Sequence, residues 1–350
     1  MKIIMKQLIL DCILMLMPLS VVMAGDDFIR MIKKEFVVDP DAQLVINNKF
    51  GNVHCNNWEK NTIQIEVIIT VNASNEEAAN KVMDRISVVF TNTPSMVEAK
   101  TLLEEDRKPQ NSRFQINYIV NIPLTVNIDV NNKFGDIFIN ESLGKCKITL
   151  GYGNLDAKKL GNSDNILDIK FGKGDVNWMK GAILTLKYST FNIDYAGSMR
   201  LNSKFSNFKA NKVVALNVTF EGGSLDMTST SSLDCTSKFS DLDVLKLDQS
   251  LNLDIQYGSC DIHEVAPDFT AITIRNKYGD VKVELGKTIA YSLDAQLKFC
   301  ELDFPEDNGI FTFRSISSTE RIYKGTINAK EEKTGPKVSV ISEFGNVSLK

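Results

Sequence analysis

The stretch Asn132-Lys133-Phe134-Gly135-Asp136-Ile137 decides the fold, because it returns throughout the chain. Close copies read Asn48-Lys49-Phe50-Gly51-Asn52-Val53, Asn276-Lys277-Tyr278-Gly279-Asp280-Val281 and Ser342-Glu343-Phe344-Gly345-Asn346-Val347. Looser copies centre on Tyr152, Phe171, Tyr188, Phe205, Phe220, Phe239, Tyr257 and Phe299. From Phe134 to Phe299 the aromatic recurs every 15 to 21 residues. Self-similarity at a near-fixed period of this length marks units that bury their apolar faces by stacking.

Columns appear when the aromatic is taken as position zero. Four places earlier stand Ile46, Val130, Ile148, Leu167, Leu184, Leu201, Leu216, Cys235, Leu253, Ile274, Ala295 and Val340, all apolar. After the corner the apolar face resumes at Val53, Ile137, Leu155, Val176, Phe191, Phe208, Leu225, Leu242, Cys260, Val281, Leu302 and Val347. Val176 and Leu225 arrive two residues late. Counting in twos along a strand keeps to one face, so these columns and the aromatic are expected to point inward together. Each unit reads as a short strand, a tight corner held by Gly, Ser, Asn or Asp, and a second short strand. The expected fold class is all-β: a parallel β-solenoid (β-helix) of about twelve two-strand rungs, with a small α+β insertion or cap near the N-terminus.

The expected organisation is a signal peptide over 1–24, first strands and first rung over 25–60, and an α+β insertion or cap over 61–122. Solenoid repeats then fill 123–350, with an excursion at 305–336. Lys2 and Lys6, the apolar run Leu8 to Leu19, and Val22-Met23-Ala24 make up the export signal. Within the insertion, Ser74-Asn75-Glu76-Glu77 predicts the start of a helix with Ala79, Val82, Met83 and Ile86 on its apolar face. Strands are predicted at Thr62–Val71, Ile86–Thr91, Met96–Leu103 and Phe114–Ile122. No segment after the signal is long and apolar enough to span a bilayer.

The composition, 43% apolar and 24% charged, is that of a folded protein. Cleavage at residue 24 removes Lys2, Lys6 and Asp11 and leaves a net charge of −5, which gives no case for nucleic acid. Five cysteines would remain, Cys55, Cys146, Cys235, Cys260 and Cys300, too irregular in column for a disulfide framework. No catalytic, cofactor or metal motif occurs. His54 and His263 are isolated, and Gly172-Lys173-Gly174-Asp175 departs from calcium-binding repeats, whose unit is about half as long. Asn48, Asn132 and Asn276 sit in the inward column and are expected to bond along the stack.

One column carries a functional signal. The residue before the aromatic is lysine at Lys49, Lys133, Lys170, Lys187, Lys204, Lys238, Lys277 and Lys298. Strand alternation points it outward. Lys170, Lys187, Lys204 and Lys238 are the candidate polyanion-binding ridge. The reading the residues favour is a solvated face that keeps the sheet soluble, partly neutralised by Asp136, Asp175, Asp241 and Asp280 at the corners.

The repeated Lys-Phe/Tyr-Gly-Asp/Asn-Val/Ile motif behind an export signal resembles the adhesin-like β-solenoid domain family of bacterial envelope proteins. The resemblance implies an exported, non-enzymatic protein of the bacterial periplasm or cell surface that binds an envelope glycan or a surface protein and has no cofactor. A competing reading is a carbohydrate-active β-helix enzyme, a polysaccharide lyase or glycosidase. It would draw on acids such as Asp168, Asp194, Asp226, Asp243, Asp254, Asp261 and Asp303.

Overall fold

The computed structural model describes residues 26–104, 113–329 and 335–350. The expected signal segment lies outside them, as does most of the polar loop that follows Leu103. Among the described residues the chain is all-β, with one helix, Glu76–Met83, and a 3-10 turn, Glu306–Asn308. The 23 strands described form one mixed, nearly closed, barrel-like sheet around a continuous apolar core.

The expectation of a parallel β-solenoid of about twelve rungs is therefore corrected. Parallel ladders do link successive copies of the motif: Lys147–Leu150 lies against Ile166–Ile169, which lies against Ile183–Leu186. At both ends of the chain, however, the direction reverses. Asp26–Val37 runs antiparallel to Thr62–Ala73, and Thr62–Ala73 antiparallel to Arg113–Ile122. Ile86–Thr93 opposes Met96–Leu103, and Glu320–Ile327 opposes both Gly309–Ile316 and Tyr291–Lys298. All of these except Tyr291–Lys298, which leads into the corner at Phe299, lack a left-handed aromatic corner. Short turns join some of them, and a short turn closes an antiparallel pair where a parallel pair needs a longer crossover.

The two apolar columns are buried as their period of two requires. Ile46, Val130, Ile148, Leu167, Leu184 and Leu253 are fully enclosed, as are Val53, Ile137, Leu155, Phe191 and Phe208. Val176 comes late because Gly174 occupies the column and the Phe191 ring fills the space where its side chain would stand. Cys55, Cys146, Cys235 and Cys260 are buried free thiols that extend these columns, and Cys300 is half-buried. Burial pushes the Cys55 and Cys235 thiols up to about 12 and Cys146 to about 11.

The helix starts one residue later than a capping box at Ser74 places it, and Ile86 opens the next strand instead of lying on the helix. Asn75 Oδ1 accepts from Ala78 N at 2.9 Å, Glu76 and Glu77 occupy the first turn, and Ala79, Val82 and Met83 face the core. Asn48 and Asn132 are buried and do bond along the stack: Asn48 donates to Ile116 O at 3.0 Å as well as to Gly51 O in its own corner, and Asn132 donates to Gly51 O at 2.9 Å. Asn276 donates to Gly279 O and to Ser342 Oγ.

Candidate functional site: an exposed aromatic ladder edged with lysine

The aromatic column does not face the core. Phe134, Tyr152, Phe171, Tyr188, Phe205, Phe239, Tyr257, Tyr278, Phe299 and Phe344 are all exposed, and Phe50 is half-buried. The cause is backbone conformation. All eleven have φ between 49° and 65°, in the left-handed region. A residue there turns its side chain to the face opposite the one strand alternation assigns. The conformation is uncommon for a residue with a large side chain and costs roughly 1–2 kcal/mol each. It lets the aromatic N–H turn toward the next repeat: Phe134 N donates to Gly151 O, Tyr152 N to Lys170 O, and Tyr188 N to Lys204 O.

Once outside, the rings stack on one another. Centroids are 5.2 Å apart for Phe50–Phe134, 5.0 Å for Phe134–Tyr152, 4.9 Å for Tyr152–Phe171 and 5.2 Å for Phe171–Tyr188. The series resumes with Phe239–Tyr257, Tyr257–Tyr278, Tyr278–Phe344 and Phe344–Phe299, all near 5 Å with planes within 7°. Such pairs contribute about 0.5–1.5 kcal/mol each beyond area burial, which offsets much of the backbone cost.

Phe220 is not a member of this ladder. It is buried, 1% exposed, and the left-handed corner of its repeat falls at Gly222, φ 70°. Gly222 lies midway in number between Phe205 and Phe239. The late arrival of Leu225 was the sequence signal for this shift.

The lysines line one side of the ladder. Lys170, Lys187 and Lys204 are direct neighbours on adjacent parallel strands, in register. Lys238 is separated from Lys204 by the repeat that carries Glu221. Lys49 is in register with Lys133, and Gly151 stands between Lys133 and Lys170. Lys170 pairs with Asp168 at 2.9 Å, Lys204 with Glu221 at 2.6 Å and Lys277 with Glu343 at 3.4 Å. Among the described residues, Lys187 and Lys238 have no carboxylate within 4 Å. Lys49 and Lys133 lie over Phe50 and Phe134, each 5.1 Å from the ring centroid.

Among the described residues the corner acids form no ion pair with the lysines of this column. Asp136 Oδ1 accepts from Asn154 N at 2.7 Å and Asp280 Oδ1 from Asn346 N at 3.3 Å. Asp241 accepts from Ser259 Oγ at 2.7 Å, and Asp175 pairs with Lys173 and accepts from Asn192. These side chains tie one repeat to the next.

The acids invoked for catalysis are partly brought together. Asp194, Asp226 and Asp243 border one shallow, open depression with Lys209. Asp194 accepts from Asn177 and Asn211, Lys209 lies 3.8 Å from Asp226, and His263 lies 3.0 Å from Asp243. Asp261 stands abreast of Asp243 and borders a second open depression with Asp303, Lys282 and Lys350, while Asp168 and Asp254 lie elsewhere. Among the described residues no group of three or more His, Cys, Asp or Glu could hold a metal ion, and no helix is long and apolar enough to cross a membrane.

No family model matches the chain, and no curated protein matches its sequence. Solved structures similar to it include a "putative adhesin" from Bacteroides fragilis, 12% identical, covering 92% of this chain and 96% of that one with a TM-score of 0.29. A "putative cell adhesion protein" from Clostridium sporogenes is 9% identical, covers 92% and 99%, and has a TM-score of 0.18. A "putative lipid binding protein" from Parabacteroides distasonis is 10% identical, covers 92% and 97%, and has a TM-score of 0.29. Likeness at this level carries no functional argument.

Proposed function

We propose that the chain is a non-catalytic binding protein of the bacterial envelope, exported to the periplasm or cell surface, that holds an acidic glycan along its lysine-edged aromatic ladder. The observation that carries this reading is the in-register column Lys170, Lys187 and Lys204 beside a continuous row of exposed rings. Like charges directly abreast on neighbouring strands are destabilising, and a contiguous exposed apolar patch marks an interaction surface. The ring stack also stabilises the sheet, and Lys170 and Lys204 are paired with Asp168 and Glu221. What points to a ligand is therefore the exposure of the whole row of rings beside Lys187 and Lys238. Over Lys170, Lys187 and Lys204 a chain of negative charges laid along the strand-stacking direction would meet one ammonium group per repeat, about every 4.8 Å, before Glu221 interrupts the column. The exposed ring edges carry partial positive charge, which also suits an anionic sugar.

A second reading, a carbohydrate-active enzyme, rests on the convergence of Asp194, Asp226 and Asp243 beside Lys209. A screen of acidic and neutral glycans joined to a depolymerisation assay tests both. Retention of acidic glycans without cleavage is expected. Chain shortening that is lost in Asp226→Asn and Asp243→Asn would replace the binding reading with the enzymatic one.

A further inference from the structure

Along most of the ladder each ring face is covered by the next ring, so only edges reach solvent. Gly222 interrupts this. It stands where eleven other repeats place an aromatic, with φ in the same left-handed region. Its register is fixed on both sides: Glu221 pairs with Lys204, and Ser224 N donates to Asn207 Oδ1 at 3.2 Å. One face of Phe205 and one face of Phe239 therefore look toward each other across two strand spacings, roughly 10 Å. Phe205 leans into part of that gap, so a guest ring stacked there has to press it back toward Tyr188. Phe239 is the most exposed ring of the ladder, at 62%. Phe205 stands 5.4 Å from Tyr188, the widest separation in the stack, and leans over Gly222, where a Cβ would lie 2.8 Å from its Cδ1.

We infer that this slot receives one pyranose ring of the acidic glycan; the inference rests on the ridge reading above. The C–H-bearing face of a sugar is weakly positive and stacks on the negative face of an aromatic ring. At Gly222 the ladder presents two such faces to one guest. Lys238 directly precedes Phe239 and is positioned to meet the carboxylate of the bound uronic acid, while Glu221 is already neutralised by Lys204. An aromatic side chain of a protein partner has a similar thickness. The unneutralised Lys238 and the continuity of the slot with Lys170, Lys187 and Lys204 favour the acidic sugar.

Calorimetric titration of the full chain with a defined oligogalacturonate tests the slot. Gly222→Phe supplies the missing ring at a left-handed position, its Cβ requiring the Phe205 ring to shift, and its fold is checked by circular dichroism and thermal melting. Affinity is expected to fall roughly tenfold, the loss of two ring contacts, with the salt dependence of binding retained. Phe239→Leu keeps every lysine and is expected to weaken binding in the same direction. Wild-type affinity in both variants, alongside loss of binding when the four ridge lysines become glutamate, would overturn the slot and leave the ridge standing. Unchanged binding in the lysine variant would overturn the ridge itself. Gly222-dependent capture of an Asp-Phe-Asp repeat peptide, without capture of oligogalacturonate, would overturn the sugar assignment.

Discussion

Tyr152 and Phe171 stack at 4.9 Å with planes 7° apart, each held outside the sheet by a positive φ that its side chain disfavours. The two features are one device. The left-handed corner expels the ring, and the neighbouring ring receives it. Removing a ring while keeping a Cβ should lose the stacking and retain the strain. Phe171→Ala is expected to destabilise by about 1–3 kcal/mol, the contribution of two ring pairs, whereas Phe171→Gly also relieves the left-handed strain and should cost roughly 1 kcal/mol less. Urea denaturation of the two variants measures the difference. Equal stabilities would show that the corner is not strained.

Close approach between repeats gives a second expectation. A Cβ built at Gly135 would lie 2.0 Å from the Gly51 carbonyl oxygen, so glycine here serves backbone contact. Gly135→Ala must push two repeats apart and is expected to cost about 1–3 kcal/mol, read as a lowered unfolding midpoint. A midpoint equal to wild type would contradict the packing described.

The buried thiols set an alkaline limit. Burial holds Cys55 and Cys235 at about 12 and Cys146 at about 11, against an ordinary value of 9.0. Folded groups with raised values bind more protons than their unfolded counterparts. Their contribution is therefore intact below pH 9 and lost as pH rises toward 11 to 12. Melting temperature should fall across that window, and less steeply in Cys55→Val and Cys235→Val. A thiol reagent at neutral pH should modify half-buried Cys300 before these three. A flat profile from pH 9 to 11 would oppose their burial.

Legibility in the sequence tracked how local each physical cause was. The columns of Ile148 and Leu155 could be read because an extended strand alternates faces and the core accepts only apolar side chains. The helix at Glu76–Met83 was announced, one residue early, by Ser74-Asn75-Glu76-Glu77. The outward turn of Phe134 and its equivalents could not be read by alternation, because one left-handed residue reverses the face. Gly135, immediately after it, signals a corner without its handedness. The mixed sheet was hidden for a different reason: strands such as Thr62–Ala73 alternate equally well in either direction, and only their partners decide. Lys170, Lys187 and Lys204 were placed correctly beside one another, while the ladder they border and the gap at Gly222 emerged from the structure.

The measurement that bears most directly on the ridge is the dissociation constant of an oligogalacturonate against ionic strength, for wild type and for the Lys170→Glu, Lys187→Glu, Lys204→Glu, Lys238→Glu variant. Surface charges act over about 10 Å at 0.1 M salt and less above it. Wild-type binding should therefore weaken steeply as salt rises, and the variant should show none at any salt. Equal, salt-independent binding by both proteins would contradict the account.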